Sequence, residues 1–187
     1  LRPNPLVKFS AVFPVPPRDL LAAVQAQGLE GVVAKRAMSR YESARAGDWV
    51  KIKVVSEQEF VIAGYMITEK RDFFRSLILA LQENGPLVYV GSVGSGFDQK
   101  LMAAIFAELV KRVTKKCPFA ELPALPAPAV WIKPELVCRV RYNAWTDEAK
   151  LRSPVFIGMR DDVDPADCVR ETAPASAAAS AASQRPP

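Results

Sequence analysis

Five short apolar runs lie within residues 57–172, and their close spacing is more typical of β-strands than of helices. Between the second and third runs stands Glu83-Asn84-Gly85, which favours a hairpin turn because Asn and Gly tolerate positive φ. The runs are Phe60–Ile67, Leu77–Leu81, Leu87–Gly91, Leu136–Tyr142 and Val155–Met159. A segment with this many short strands predicts a small β domain.

A single amphipathic helix is predicted inside that segment, over Asp98–Val113, where apolar residues recur at helical spacing. This apolar stripe indicates core packing and not a cofactor site. Five strands with one helix before the last two describe a small Greek-key barrel of the OB type. Residues 57–172 are long enough to form a core of their own.

The first 56 residues contain too few elements for an independent sheet. A helix is predicted over Pro17–Gln27, and strands over Gly31–Lys35 and Trp49–Val55. Two strands leave unpaired edges and one uncovered face, so further structure must complete this sheet. The fold class is therefore predicted as α+β, with a partial sheet in residues 1–56 and the barrel in residues 57–172. The Ala/Ser/Pro-rich residues 173–187 are expected to be a disordered tail or a linker.

The composition argues against several common classes of protein. The 187 residues include no histidine and only three cysteines, far apart in sequence. This speaks against a zinc site, a disulfide framework, and Ser-His or Cys-His catalysis. No apolar run is long enough to span a membrane and no signal peptide is evident, so a cytoplasmic protein without membrane partners is expected.

The net charge of +5 is concentrated between residues 35 and 53. A local excess of this kind suits an anionic partner, either a nucleotide or nucleic acid, and a solvated basic surface is the equally weighted alternative. Only Glu42 and Asp48 oppose the basic residues of this stretch, which are Lys35, Arg36, Arg40, Arg45, Lys51 and Lys53.

Two features of this basic stretch suit phosphate chemistry. Glu30 lies between two glycines, which lets a metal-bridged phosphate approach the backbone; an edge-strand glutamate paired with a lysine is the alternative. Lys51 and Lys53 share one strand face and repel each other unless an anion lies between them. A solvated strand face beside an aromatic residue is the alternative for this pair.

A third feature lies near the end of the predicted barrel. Arg152 and Arg160 stand at the two ends of an apolar strand. The planar guanidinium group is the preferred bidentate ligand of phosphate. Taken alone, however, the sequence favours a simple ion pair of Arg160 with Asp161 or Asp162.

The order of these segments is more specific than any one of them. GLEGVVAKR, SRYESAR and DWVKIK resemble motifs IV and V of the ATP-dependent nucleotidyltransferases. EFVIAGY, GSVGSGF, WIKPELVCRV and AWTDEAKLRSPVFIGMRDD extend the match to about residue 165. The chain resembles bacterial ATP-dependent DNA ligases of the ligase D type, which act in non-homologous end joining. The resemblance implies that residues 1–56 are the C-terminal portion of an adenylation domain with an ATP-grasp-like nucleotidyltransferase sheet.

The resemblance also implies a reaction, cofactors and partners. In that family a lysine attacks the α-phosphate of ATP and releases pyrophosphate. The AMP passes to the 5′-phosphate of nicked or broken double-stranded DNA, and the 3′-hydroxyl then displaces AMP to seal the strand. Magnesium assists each step. Carried over by motif, the resemblance implies that the nucleotide is bound by Glu30, Lys35, Lys51, Lys53, Arg152 and Arg160. It implies that Glu30 also binds the metal, and that Lys51, Lys53 and Arg160 support catalysis. DNA binding is implied for Arg36, Arg40 and Arg45.

Three departures from the family pattern concern catalysis. No Lys-x-Asp-Gly nucleophile motif occurs in the chain, Val163 replaces the lysine of the final motif, and Ala44-Arg45-Ala46 stands where Gly-Arg-Ser is usual. We therefore expect that the missing N-terminal half of the adenylation domain acts in cis or in trans, and that this chain alone does not self-adenylate. The alternatives are a non-catalytic nucleic-acid-binding OB module and an inactive ligase remnant. The net charge of −1 in residues 57–172 argues against the first of these.

Overall fold

The structure is a computed structural model that describes residues 12–27, 29–40, 42–43, 47–68 and 73–171. These residues fall into two compact units that divide between Val54 and Val55. We call them the hairpin unit, residues 12–54, and the five-stranded unit, residues 55–171. The predicted tail, residues 173–187, lies outside the described residues. None of the helices described is long and apolar enough to cross a membrane.

The hairpin unit contains one helix and one pair of strands. Helix α1 (Pro17–Ala26) is followed by strands β1 (Gly31–Lys35) and β2 (Trp49–Lys53), which pair antiparallel as a two-stranded sheet. The boundaries of α1 and β1 agree closely with the sequence prediction, and β2 ends two residues earlier than predicted. Val24 is the one large apolar side chain of this unit that is buried among the described residues.

The five-stranded unit is built on a single antiparallel sheet of five strands. The strands of the unit are β3 (Ser56–Met66), β4 (Ser76–Gln82), β5 (Leu87–Val93), β6 (Ala129–Tyr142), a short pair β7 (Ala144–Trp145) and β8 (Leu151–Arg152), and β9 (Val155–Arg160). The order across the sheet is β5-β4-β3-β6-β9. The predicted hairpin turn between β4 and β5 is confirmed, because Asn84 and Gly85 adopt positive φ angles of 52° and 108°. The α+β class is confirmed.

Helix α2 (Gln99–Val110) lies between β5 and β6, as the sequence predicts. The carboxylate of Asp98 caps it by accepting a 2.7 Å hydrogen bond from the backbone N–H of Leu101. Ile105 and Leu109 are buried in the core, which confirms that the apolar stripe packs. The helix ends three residues before the predicted Val113, where the chain turns and Val113 forms a bridge with Ile132 of β6.

Closure of the predicted barrel is not seen among the described residues. The edge strands β5 and β9 share no ladder in this sheet. They are joined instead just beyond β5, where the N–H of Phe156 donates to the carbonyl of Ser95 at 2.9 Å. Gly96 follows with a φ of +93°, and a Cβ there would lie 2.3 Å from the carbonyl oxygen of Phe156. The two edges therefore approach at one point, because the chain leaves β5 to enter α2.

The segment after β9 was not predicted to carry structure, yet it packs against the sheet. The N–H of Gln82 donates to the carbonyl of Cys168 at 2.8 Å. The buried side-chain amide of Gln58 donates to the carbonyl of Val169 at 2.6 Å. Arg170 lies 4.2 Å from the ring centroid of Trp145 and forms a 3.0 Å ion pair with Glu83. These contacts fix the chain that directly follows Arg160.

Candidate functional site

The hairpin unit places three of the predicted lysines on one face. Lys51 lies opposite Val33, and Lys35 lies opposite Trp49. Residues directly opposite in an antiparallel pair share a face, and so do residues two apart, which adds Lys53. All three lysine side chains are exposed. Along β2 the Cα atoms of Lys51 and Lys53 are about 7 Å apart, so one polyphosphate can contact more than one of the three lysines.

The lysines of this face differ in their partners. The ammonium of Lys35 lies 4.1 Å from the ring centroid of Trp49, a distance at which the ring attracts a cation. Within the described residues, Lys51 and Lys53 take part in no ion pair. The alternative of a solvated strand face fits this arrangement as well as an anion site does, so the role of the lysine pair stays a prediction.

Gly31 is required by the pairing of the two strands. Its φ is +148°, and a Cβ at this position would lie 2.2 Å from the carbonyl oxygen of Ile52. The close approach predicted for this glycine is thus to the neighbouring strand. Glu30 precedes it, exposed, and its carbonyl accepts a 2.9 Å hydrogen bond from the N–H of Val54, which fixes the backbone at the edge of the lysine face.

The predicted DNA-contacting arginines lie between β1 and β2. Arg36 forms a 2.8 Å ion pair with Asp48, and its backbone N–H donates to the carbonyl of Asp48 at 2.9 Å. This pair closes the base of the connection. Arg40 is exposed. Arg45 lies outside the described residues. DNA binding by these three side chains stays a prediction.

In the five-stranded unit, Arg160 is held between two carboxylates. Its Nε and Nη2 atoms donate to the two oxygens of Asp162, each at 2.7 Å. Its Nη1 atom donates to Glu59 on β3 at 2.6 Å. The sequence favours an ion pair of Arg160 with Asp161 or Asp162, and the structure shows the pair with Asp162, in bidentate form. Hydrogen bonding to Arg160 lowers the pKa of Asp162 to about 2, and the same contacts raise the pKa of Arg160.

The contact with Glu59 belongs to a row of alternating charges across β3, β6 and β9, which we call the ionic row. Glu59 lies opposite Arg139 in the β3–β6 register, and Glu57 lies opposite Arg141. Arg141 donates to Glu57 at 2.7 Å, and Arg139 lies 3.4 Å from Glu59. The row consists of Glu57, Glu59, Arg139, Arg141, Arg160 and Asp162, and its three acids balance its three arginines.

Glu59 and Arg139 are neighbours of Arg160 that were not predicted from the sequence. A signal was available, since acids recur at 57 and 59 and arginines at 139 and 141 with the period of a strand. Pairing them required the β3–β6 register, which no local pattern specifies.

Arg152 does not lie on the strand that carries Arg160. It lies in β8, which pairs with β7 in a separate two-stranded sheet, and its carbonyl accepts a 3.0 Å hydrogen bond from Asn143. Ser153 follows with a φ of 54°, so the chain turns sharply before β9 begins. The expectation of two arginines at the ends of one strand is therefore wrong, because the turn at Ser153 separates them.

Comparison with known proteins identifies the family. Residues 70–163 match the family described as the ATP dependent DNA ligase C terminal region. The chain belongs to the ATP-dependent DNA ligase family. This confirms the resemblance that the order of the sequence motifs suggested, and it assigns the five-stranded unit to the C-terminal region of a ligase.

Individual relatives extend the match into the hairpin unit. The multifunctional non-homologous end joining protein LigD of Pseudomonas aeruginosa is 37% identical over 162 residues, covering 83% of this chain and 19% of that protein. The Mycobacterium tuberculosis LigD is 37% identical over 155 residues, covering 80% of this chain and 20% of that protein. The chain thus spans about a fifth of the length of these curated relatives.

Solved structures agree with the sequence comparison. The ligase domain of M. tuberculosis LigD is 36% identical, with a TM-score of 0.61, covering 82% of this chain and 52% of that one. A mycobacterial DNA ligase D complexed with ATP and MES is 35% identical, with a TM-score of 0.56, covering 82% of this chain and 51% of that one. The hairpin and five-stranded units both recur in ligase D.

Proposed function

We propose that this chain is the C-terminal portion of an ATP-dependent DNA ligase that seals nicked or broken double-stranded DNA through adenylated intermediates, in repair by non-homologous end joining. The observation that carries the proposal is the 37% identity to LigD proteins across both units. In this proposal residues 1–56 are the C-terminal portion of the adenylation domain, and residues 57–172 are the OB domain that follows it. The described arrangement of lysines and arginines on these two units supports the assignment.

The lysine face supports a role in binding the nucleotide. Lys51 and Lys53 bind the α-phosphate of ATP, where negative charge must be neutralised as the lysine nucleophile attacks. Lys35, held by Trp49, lies on the same face and adds to its positive potential. Preplaced cations of this kind stabilise charge without rearranging when it develops.

One residue of the hairpin unit, Glu30, has the chemistry to bind magnesium. Mg²⁺ is commonly bound through one or two carboxylates together with substrate phosphates and water. No three acidic or cysteine side chains cluster in the described ranges, so an all-protein cage is not formed there. The exposed carboxylate of Glu30 is suited to hold an ion that the phosphates also bind, and the ion supplies charge neutralisation when bound.

Arg160 binds the outgoing pyrophosphate in this proposal. Its guanidinium presents a planar fork that matches two phosphate oxygens as it now matches the two oxygens of Asp162. Arg152, on the neighbouring β7–β8 pair, contributes positive charge. The nucleophilic lysine comes from the adenylation-domain half that carries Lys-x-Asp-Gly, because no such motif occurs in these residues.

A chimera tests the proposal. Residues 29–171 replace the matching segment of the M. tuberculosis LigD ligase domain, and the chimera is assayed for nick sealing and for covalent AMP with ATP and Mg²⁺. We expect sealing by the chimera. We expect the double variant Lys51→Ala/Lys53→Ala to lose at least about 100-fold in rate, the size of effect seen when a charge-stabilising group is removed.

The matched control removes two positive charges elsewhere. Lys115 and Lys116 lie exposed after α2, and Lys115→Ala/Lys116→Ala is expected to keep the rate within about twofold. Equal losses in the two double variants would show a general charge effect and contradict the role of the lysine face. A folded chimera that seals no nicks contradicts the proposed function itself.

A further inference from the structure

In the ionic row, two carboxylates of the same unit occupy the guanidinium of Arg160, and a phosphate must compete with them for it. Asp162 occupies the Nε and Nη2 donors, and Glu59 occupies Nη1. Carboxylate and phosphate oxygens bind the same guanidinium N–H groups in the same plane. A phosphate can therefore bind Arg160 in bidentate fashion only when at least one of these carboxylates is displaced.

The two carboxylates restrain Arg160 in different ways. Asp162 is two residues away and its side chain is 61% exposed, so it moves together with the chain that carries Arg160. Glu59 projects from the central strand β3, its side chain is 20% exposed, and Arg139 lies 3.4 Å from the same oxygen. Glu59 therefore ties the guanidinium to the body of the sheet.

We propose that Glu59 is a positioning residue that holds Arg160 against the five-stranded sheet and competes with phosphate for its guanidinium N–H groups. This inference rests on the proposed function, in which Arg160 binds the pyrophosphate part of the nucleotide. Glu59 thus lowers the affinity of the free unit for polyphosphate and keeps the guanidinium in one place until the nucleotide arrives. Arg139, the second partner of Glu59, takes over its charge when Arg160 leaves.

The chain offers a matched control for this test. Glu57 lies two residues from Glu59 on the same strand face and carries the same charge. It pairs with Arg141 at 2.7 Å and with Arg139 at 3.7 Å, and not with Arg160. Replacing either glutamate with glutamine raises the net charge by one and preserves the shape of the side chain. Only the replacement at residue 59 releases Arg160.

The experiment measures binding of inorganic tripolyphosphate to the full 187-residue chain at low ionic strength, by titration followed through the arginine Nε–H signals in NMR. We expect Glu59→Gln to bind about three- to fivefold more tightly than the unchanged chain, the effect of one partly exposed ion pair. We expect Glu57→Gln to stay within twofold. Glu59→Asp retains the charge but withdraws it from Arg160, and it is expected to tighten binding as well.

Arg160→Ala separates the inference from the function on which it rests. The gain from Glu59→Gln is expected to vanish in the Arg160→Ala background, which a purely structural role of Glu59 does not explain. Equal affinities of Glu59→Gln and Glu57→Gln overturn the positioning role and leave the proposed function intact. Tripolyphosphate binding that is unaffected by Arg160→Ala overturns the proposed role of Arg160 itself, as does the absence of binding in every variant.

Discussion

The hairpin unit and the five-stranded unit support their basic side chains in opposite ways. Among the described residues, the face of the two-stranded sheet opposite the lysines is half-buried, and Val50 on that face is 54% exposed. In the five-stranded unit Arg160 lies on a sheet over a continuous core and is braced by carboxylates. We therefore expect the hairpin unit to need further structure for its stability, and the five-stranded unit to be stable by itself.

Expressing the two units as separate fragments is the strongest test of this difference in stability. We expect residues 55–175 alone to unfold in urea with one cooperative transition, and residues 1–54 alone to show none, because two strands and one helix bury too little apolar surface. Circular dichroism and amide NMR spectra of the two fragments check this. A cooperative transition in the isolated 1–54 fragment contradicts the contrast.

Truncating one apolar side chain in each unit tests where the stability lies. Phe60 is fully buried, with its ring 6.0 Å from that of Tyr142, so Phe60→Ala is expected to lower the free energy of unfolding by about 3–5 kcal/mol. Val50→Ala is expected to change it by less than about 0.5 kcal/mol, because most of that side chain is already exposed. Urea denaturation of the full chain measures both, and similar losses would show that the hairpin unit has a core of its own.

Substitution of one glycine in each unit tests the same difference at the backbone. Gly96→Ala places a Cβ 2.3 Å from the Phe156 carbonyl, and we expect a loss of about 1–3 kcal/mol in the stability of the five-stranded unit. Gly31→Ala meets the Ile52 carbonyl at 2.2 Å and is expected to release the β1–β2 pairing without altering that stability. Hydrogen exchange at the amides of β2 measures the local loss of strand pairing, and the melting temperature measures the global loss of stability. Measuring both for each variant distinguishes the two effects.

The smallest expected effect concerns the pH dependence of the ionic row. The pKa of Asp162 is about 2 in the folded chain, below its ordinary value of 3.8, because Arg160 donates to its carboxylate. A depressed carboxyl pKa adds stability above pH 4 that is lost as the pH falls from about 4 to about 2. We expect Asp162→Asn and Arg160→Met each to flatten the fall in stability over this range, as measured by urea denaturation at several pH values. An unchanged slope in either variant would mean that the pair does not persist in solution.

Local pattern was sufficient to predict most of the secondary structure. The strand β1, the turn at Asn84-Gly85 and the helix α2 follow from periodicity, glycine placement and the cap at Asp98, all of which act over a few residues. The short β7–β8 pair escaped prediction because two-residue strands leave no periodic signal. The segment after β9 escaped for another reason: it is held by Gln58 and Gln82, which are distant in sequence.

The features of the candidate site also fall into those that local pattern predicts and those that depend on contacts distant in sequence. That Lys51 and Lys53 share a face follows from the local sequence, because strand residues two apart always share a face. That Arg160 contacts Glu59, which lies 101 residues earlier in the chain, and that Arg152 lies on a separate pair of strands, could be seen only in the folded chain. The physical reason is that cross-strand partners depend on register and on turns such as that at Ser153, and these are settled by packing of the whole sheet.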